Sequence, residues 1–544
     1  MSDAGGAGGR AGDAGEPPAD PIAVLGAGTM GAGIAQLACL AGARTLLHDP
    51  VAEALDRGLQ AVPRNLRRGA ERGRWSEPEA EAAAARLEPA PSLEDLAPAE
   101  LVIEAAPESL ELKRELFGRL SELVGPECVL ATNTSSLPVT AIASATKRPE
   151  RVVGMHFFNP APLMRLLEVV AGADSSRAAL DRARAVGEAM GKHVIEATDG
   201  PGFLVNRCNR PFGLEALRLL AEGIADVPTI DRICRMGGGF RMGPFELMDL
   251  VGVDVGLEVS KSFYELSFGE PRWRPSLITQ RMVDAGRHGR KTGRGYYDYG
   301  DGPHRPDDPE PPAVGGGDGI VVIVGAGTLV EELLAAAGAA GWDARGLEDA
   351  GSGPVELVVD CTLGGYEEGF PEGPEVLLCD HASLASIAGP ESQAVGFHTL
   401  PPLDESRLVE LTRRSHSAPE AAAAAERFFA SLGKHVEWVG DAPGLVLGRI
   451  VCQVINESAF ALGEGVGSAA DIDAGMVLGL NHPRGPLAWA DQIDIAHVLN
   501  VLQGLHLEYE EERYRTAPAL SRLLHEGRMG RLDGAGFHDY GSAG

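Results

Sequence analysis

At 544 residues the chain is longer than one hydrophobic core usually serves, so roughly three to five domains are expected. With 44% hydrophobic residues and no uninterrupted apolar run of about 18 residues, the composition fits a soluble globular protein and argues against a membrane span. A net charge of −30 would repel a phosphate backbone, which speaks against nucleic acid as a main partner.

In chain order, residues 1–20 are rich in Gly, Ala and acid, lack the basic start and apolar stretch of a signal peptide, and are expected to form a disordered tail. An aliphatic strand then runs into Gly26-x-Gly28-x-x-Gly31 and a helix of small and apolar residues, and Asp49 ends the following strand. In that context the glycines predict a dinucleotide site at a helix N-terminus. Gly26 allows the tight turn, Gly28 the approach of the pyrophosphate and Gly31 close helix packing. A carboxylate at Asp49 suits an unphosphorylated ribose diol, so NAD is favoured over NADP.

One long Ala/Arg/Glu helix is expected next, carrying Arg64, Arg67, Arg68, Arg72 and Arg74. This cluster reads either as a solvated face or as a local patch for a polyanionic ligand. Strands LVIEA, CVLATN and VVGMH alternate with helices up to about residue 197, the pattern of a parallel sheet, and residues 201–299 turn helical with FLVNRCNRPFGLEALRLLAEG as the longest stretch. The strand reaching His156 is followed by a turn at Asn159, Pro160 and Pro162 and by LLEVV, which brings Glu168 back toward His156. A His–carboxylate pair suits alcohol oxidation, because imidazole takes the hydroxyl proton and the carboxylate stabilises the resulting charge. Taken alone, His156 would also fit a structural histidine near a turn.

The segment GKHVIEATDGPGFLVNR (191–207) returns as GKHVEWVGDAPGLVLGR (433–449), and RKTGRGYYDY has a weaker echo in RLDGAGFHDY. The expected fold is therefore an α/β Rossmann-type dinucleotide-binding domain (21–197) plus an all-α C-terminal domain (198–300). After a linker (301–318), the pair is duplicated in tandem as a degenerate second copy with a Rossmann-like domain (319–438) and a second helical domain (439–544). In that copy Val330 stands where the third glycine belongs, Gly364, Ala382 and Gly448 fall at the positions of Glu108, Ser135 and Asn206, and only His398 and Glu410 keep the catalytic spacing. The second copy is expected to have lost NAD and to serve structure. The seven scattered cysteines suggest neither disulfides nor a metal site, and a reducing cytoplasm is the expected location.

The stretches GAGTMGAGIAQ, VIEAAPESLELKRELF, ATNTSSL, HFFNPAPLMRLLEVV, DGPGFLVNR and RKTGRGYYDY together resemble the 3-hydroxyacyl-CoA dehydrogenase family over residues 21–300. The duplicated length, with GLNHPRGPLAWADQ and EEERYR, is most similar to its long bacterial 3-hydroxybutyryl-CoA and 3-hydroxyadipyl-CoA members of fatty-acid and aromatic-acid catabolism. The resemblance implies oxidation of a (3S)-3-hydroxyacyl-CoA with NAD, with His156 as base and Glu168 as its partner. Ser135 would touch substrate and cofactor, and Asn206 the substrate. Gly26, Gly28, Thr29, Met30, Gly31, Asp49, Glu108, Lys113, Asn159 and Lys291 would contact NAD. Where the family places a Ser and a Lys on the CoA nucleotide this chain has Asn65 and Arg72, so Asn65, Arg67, Arg68 and Arg72 form the expected CoA contact set. Ser135 could instead cap the next helix, and Lys113 could lie on a solvated face. Single-unit relatives pair through their helical domains, which implies an intrachain pseudo-dimer here and leaves a homodimer open. A free hydroxy-acid dehydrogenase and a non-catalytic nucleotide-binding scaffold are the rival readings.

Overall fold

Four short runs, Ile22–Leu25 (β1), Thr45–His48 (β2), Leu101–Glu104 (β4, after a strand β3 at Leu87–Pro89) and Val129–Thr132 (β5), are buried along their whole length. Strands covered on both faces carry such runs. The computed structural model describes residues 18–300, 302–351, 353–362 and 371–541, which form two compact units divided after Phe203. In the first unit β6 (Val152–Phe157), β7 (Leu166–Ala171) and β8 (His193–Thr198) complete a sheet of order β3-β2-β1-β4-β5-β6-β7-β8. All neighbours are parallel except β6 and β7. The order reverses about β1, with β2 on one side and β4 on the other, which opens a crevice at the carboxyl ends of these strands.

Three expectations change here. Pro18–Asp20 are not tail: Ala19 is buried, Arg182 donates to the Pro18 carbonyl and Asp20 accepts from the Arg44 N–H. Residues 1–17 lie outside the described residues. The single long helix is two, Ala52–Glu71 and Glu77–Ala84. Gly73 turns the chain at φ +68°, and Ser76 with Glu79 forms a reciprocal cap that starts the second helix. The strand β3 was not expected at all.

The second unit holds the helices after Leu204 and a second sheet. FLVNRCNRPFGLEALRLLAEG is broken into Val205–Cys208 and Arg210–Glu222, because Pro211 has no N–H to continue the ladder. Val253–Leu266 is therefore longer. The described part of the linker is strapped down, with Asp308 on Arg235 and with His304 and Arg305 on Glu246. The second sheet comprises β9 (Ile320–Val324), β10 (Asp343–Arg345), β11 (Leu357–Asp360), β12 (Glu375–Leu378), β13 (Val395–His398), β14 (Leu408–Thr412) and β15 (His435–Trp438). Its order, β10-β9-β11-β12-β13-β14-β15, repeats that of the first sheet apart from β3, and again only the β13/β14 pair is antiparallel.

Helix Leu447–Gly463 packs against Arg210–Glu222. Across this contact Arg207 binds Glu457 and Glu464 while Arg449 binds Glu215 and Glu222, each at 2.6–2.8 Å. The two sets exchange roles as residues do across a two-fold interface.

Candidate active site

The glycine turn follows β1. A Cβ on Gly31 would lie 1.7 Å from the Gly26 carbonyl oxygen, and one on Gly26, at φ +101°, would lie 2.6 Å from the Ala105 oxygen. Gly28 is different: its φ is −68° and nothing stands within 4 Å of its Cβ position. Fold packing demands Gly26 and Gly31, whereas Gly28 leaves open space at the N-terminus of helix Thr29–Leu40. That N-terminus has no side-chain cap, so its first N–H groups are available to an anion. Thr29 is exposed and Met30 half-buried at its mouth. Asp49 is fixed beside the turn, its two oxygens accepting from the Ala27 and Val51 N–H groups at 2.9 Å.

The β6/β7 register sets His156 opposite Glu168, and His156 Nδ1 lies 2.5 Å from Glu168 Oε2. Both are buried, Glu168 completely. Phe158 and Phe203 pack against the imidazole with centroids at 4.6 and 5.9 Å. With Nδ1 committed to the carboxylate, Nε2 is the ring nitrogen left for a substrate. Asn159 is exposed in the turn that follows. Lys192, which the sequence reading passed over, clamps that turn by donating to the Ala161 and Met164 carbonyls at 2.6 and 2.7 Å. Its signal was the GKHV that opens both 191–207 and 433–449.

Ser135 lies in the loop after β5, which a single carboxylate ties together: Glu108 accepts from the Thr134 hydroxyl, the Ser135 N–H and the Ser136 hydroxyl. Burial alone would raise the Glu108 carboxyl, but these donors and Lys113 hold it below its usual range. Ser135 does not cap the next helix, whose N-cap is Pro138. Lys113 is neither on a solvated face nor open to a ligand. It is fully enclosed, 2.6 Å from the equally buried Glu104, and reaches Glu108 at 3.5 Å. Glu104 also accepts from Thr132 and the Ala106 N–H. Asn133 accepts from the Phe157 N–H and so ties the loop to the catalytic strand.

The family description "3-hydroxyacyl-CoA dehydrogenase, NAD binding domain" matches residues 21–200, and "3-hydroxyacyl-CoA dehydrogenase, C-terminal domain" matches both 202–299 and 444–540. The chain belongs to the 3-hydroxyacyl-CoA dehydrogenase family. It is 36% identical to the 3-hydroxyadipyl-CoA dehydrogenase of Escherichia coli K12 over 93% of this chain and 98% of that one. Against a probable 3-hydroxybutyryl-CoA dehydrogenase of Bacillus subtilis the identity is 42%, over 51% of this chain and 96% of the relative. A crystal structure of 3-hydroxybutyryl-CoA dehydrogenase from Escherichia coli K12 superposes with a TM-score of 0.78 at 35% identity, covering 94% of this chain and 99% of that one. NAD is the cofactor of this dehydrogenase, and the open Gly28, the uncapped helix and Asp49 fit it.

The expected CoA contacts divide. Asn65, Arg68 and Arg72 line a cavity of about 220 Å³ with Arg74, Trp75 and the buried Gln36. Arg67 does not line it. At ~100° per residue a helix sends neighbours to different faces, so Arg67 lies off the cavity that its neighbour Arg68 lines. Asn206 and Lys291 belong to the second unit, where Asn206 is half-buried and Lys291 pairs with Asp254 at 2.6 Å.

In the second half of this dehydrogenase the same positions look different. β13 and β14 still set His398 opposite Glu410, yet the pair is not hydrogen-bonded: Glu410 accepts from the Val446 and Leu447 N–H groups instead. His398 is fully buried, and its Nε2 lies 3.3 Å from His497 Nε2. A Cβ on Gly448 would lie 2.3 Å from the His398 ring, so the ring fills the room that an asparagine side chain would need. Burial, with His497 beside it, pushes His398 down to about 3. Val330 is buried in the core, and Gly364 lies outside the described residues.

Proposed function

We propose that the chain interconverts (3S)-3-hydroxyacyl-CoA and 3-oxoacyl-CoA, with 3-hydroxyadipyl-CoA or 3-hydroxybutyryl-CoA as substrate, as the names of its relatives suggest. The buried His156–Glu168 pair at the carboxyl edge of a nucleotide-binding sheet carries this reading. When bound, NAD supplies the acceptor for the hydride that leaves C3. His156 Nε2 takes the proton of the C3 hydroxyl as the carbonyl forms, while Glu168 holds the tautomer and offsets the imidazolium charge. Ser135 and Asn206 are assigned to polarising the substrate oxygens, and Gly26, Gly28, Thr29, Met30, Gly31, Asp49, Glu108, Asn159 and Lys291 to the cofactor. Lys113 acts through Glu108. Asn65, Arg68 and Arg72 are assigned to the CoA nucleotide.

The chain is read as a tandem duplication, with helical domains paired within one polypeptide and one working site per chain. The reciprocal ion pairs, the repeated strand order and the double match of the C-terminal domain support this. A cytoplasmic location is supported by seven free cysteines. Among the described residues no helix is long and apolar enough to cross a membrane.

NADH oxidation followed by absorbance with acetoacetyl-CoA, acetoacetyl-pantetheine and acetoacetate tests the reading. The CoA thioester should be the best substrate, and Arg72→Glu should raise its KM at least tenfold while leaving the pantetheine thioester nearly unchanged. Equal turnover of free acetoacetate would overturn the thioester reading, and equal losses on both thioesters would overturn the CoA assignment.

A further inference from the structure

The second sheet has its own crevice, a cavity of about 710 Å³, within the size range of small-molecule sites. Its floor is the glycine turn after β9, and Glu348 lines it at the position that Asp49 holds after β2. The strand registers establish the correspondence, since Ile22 pairs with Thr45 and Val321 with Ala344, equally far before each carboxylate. The chemistry at the turn, however, is reversed. Gly327 adopts φ +101° where Gly28 has −68°, and the Val330 N–H is taken by the Gly327 carbonyl. A Cβ on Gly327 would lie 3.8 Å from the Asp494 carboxylate, where the first turn faces open space. Among the described residues the lining holds the carboxylates Glu348, Asp380 and Asp494 and neither Lys nor Arg.

This cavity repels phosphate, yet it keeps a carboxylate for a diol and adds polar groups of its own. His497 is only 9% exposed. Its Nε2 lies 3.3 Å from His398 Nε2, and the ring lines the cavity. Among the described residues the Thr362 hydroxyl has no partner, and Thr362 also lines the cavity. We propose that the second cavity is a separate binding site for a phosphate-free purine ribonucleoside. Glu348 accepts from the ribose diol, Asp494 accepts from the 5′-hydroxyl where the first site would receive pyrophosphate, and His497 and Thr362 meet the polar edge of the base. The site needs no step of the dehydrogenase reaction and does not depend on its substrate.

Calorimetry on the full chain tests this with adenosine as probe, after NADH has saturated the first site. One adenosine per chain is expected to bind, AMP should bind at least tenfold more weakly, and Glu348→Gln should weaken adenosine about tenfold. Asp494→Asn retains the cap on helix Ile495–Tyr509 and should narrow the gap between AMP and adenosine. Unchanged NADH binding in both variants confirms that they are folded. No adenosine uptake, a second NADH per chain, equal affinity for AMP, or an unaltered Glu348→Gln variant would each overturn the proposal.

Discussion

Gly28 and Gly31 lie in one motif but serve different ends, and replacing each by alanine should separate them. At Gly31 the new methyl would stand 1.7 Å from the Gly26 oxygen, roughly 1.5 Å or more inside normal contact. Overpacking costs about 1–3 kcal/mol, and because backbone opposes the methyl here the upper end applies. For a unit of this size each kcal/mol moves the melting temperature by about 2–4 °C, so Gly31→Ala should lower it by roughly 6–12 °C. At Gly28 the φ of −68° suits any residue and nothing lies within 4 Å. Gly28→Ala should therefore leave the melting temperature unchanged or slightly raised. Its methyl occupies the space where the pyrophosphate approaches, so NADH affinity should fall at least tenfold. Scanning calorimetry of the ligand-free protein and NADH fluorescence titration read the two effects. A Gly28→Ala variant that binds NADH normally, or a Gly31→Ala variant that melts normally, would refute the argument.

His156→Gln and Glu168→Gln should each lower kcat by about 10²–10⁴ while leaving the NADH dissociation constant unchanged; stopped-flow turnover beside fluorescence titration checks this, and a kcat near that of the parent would remove the pair from the chemistry. Arg449→Met leaves Glu215 buried without its main partner and should cost about 3–5 kcal/mol in urea unfolding of the second unit. Against the burial that would raise it, Arg449 and Arg218 bring Glu215 down to about 2 from 4.5, so its contribution is complete above pH 4.5 and is lost as pH falls toward 2. The difference between variant and parent should shrink over that window, and a difference independent of pH there would sink the assignment.

Where function depends on local geometry, the sequence was readable. The glycine spacing with Asp49 lies within one strand-helix-strand unit and the His156–Glu168 return within one strand-turn-strand unit, and short-range pattern fixes such units. Lys113 could not be placed this way, because its enclosure comes from packing back onto Glu104 at the end of β4. Arg67 was grouped with its neighbours by proximity in the chain, which a helix disperses. Strand β3 spans only Leu87–Pro89 and none of it is fully buried, too little pattern to register. His398 and Glu410 show the converse: their spacing survives while their bond does not, because Gly448 lets the ring settle elsewhere.

The reciprocal pairs Arg207–Glu457 and Arg449–Glu215 have a consequence for how the molecule holds together on dilution. Two separate copies meeting through such a surface would come apart as their concentration fell. Carried on one polypeptide, the two faces meet at an effective concentration set by the connecting chain. The contact therefore closes unimolecularly at any abundance, and each side is free to change its sequence without the same change being imposed on the other.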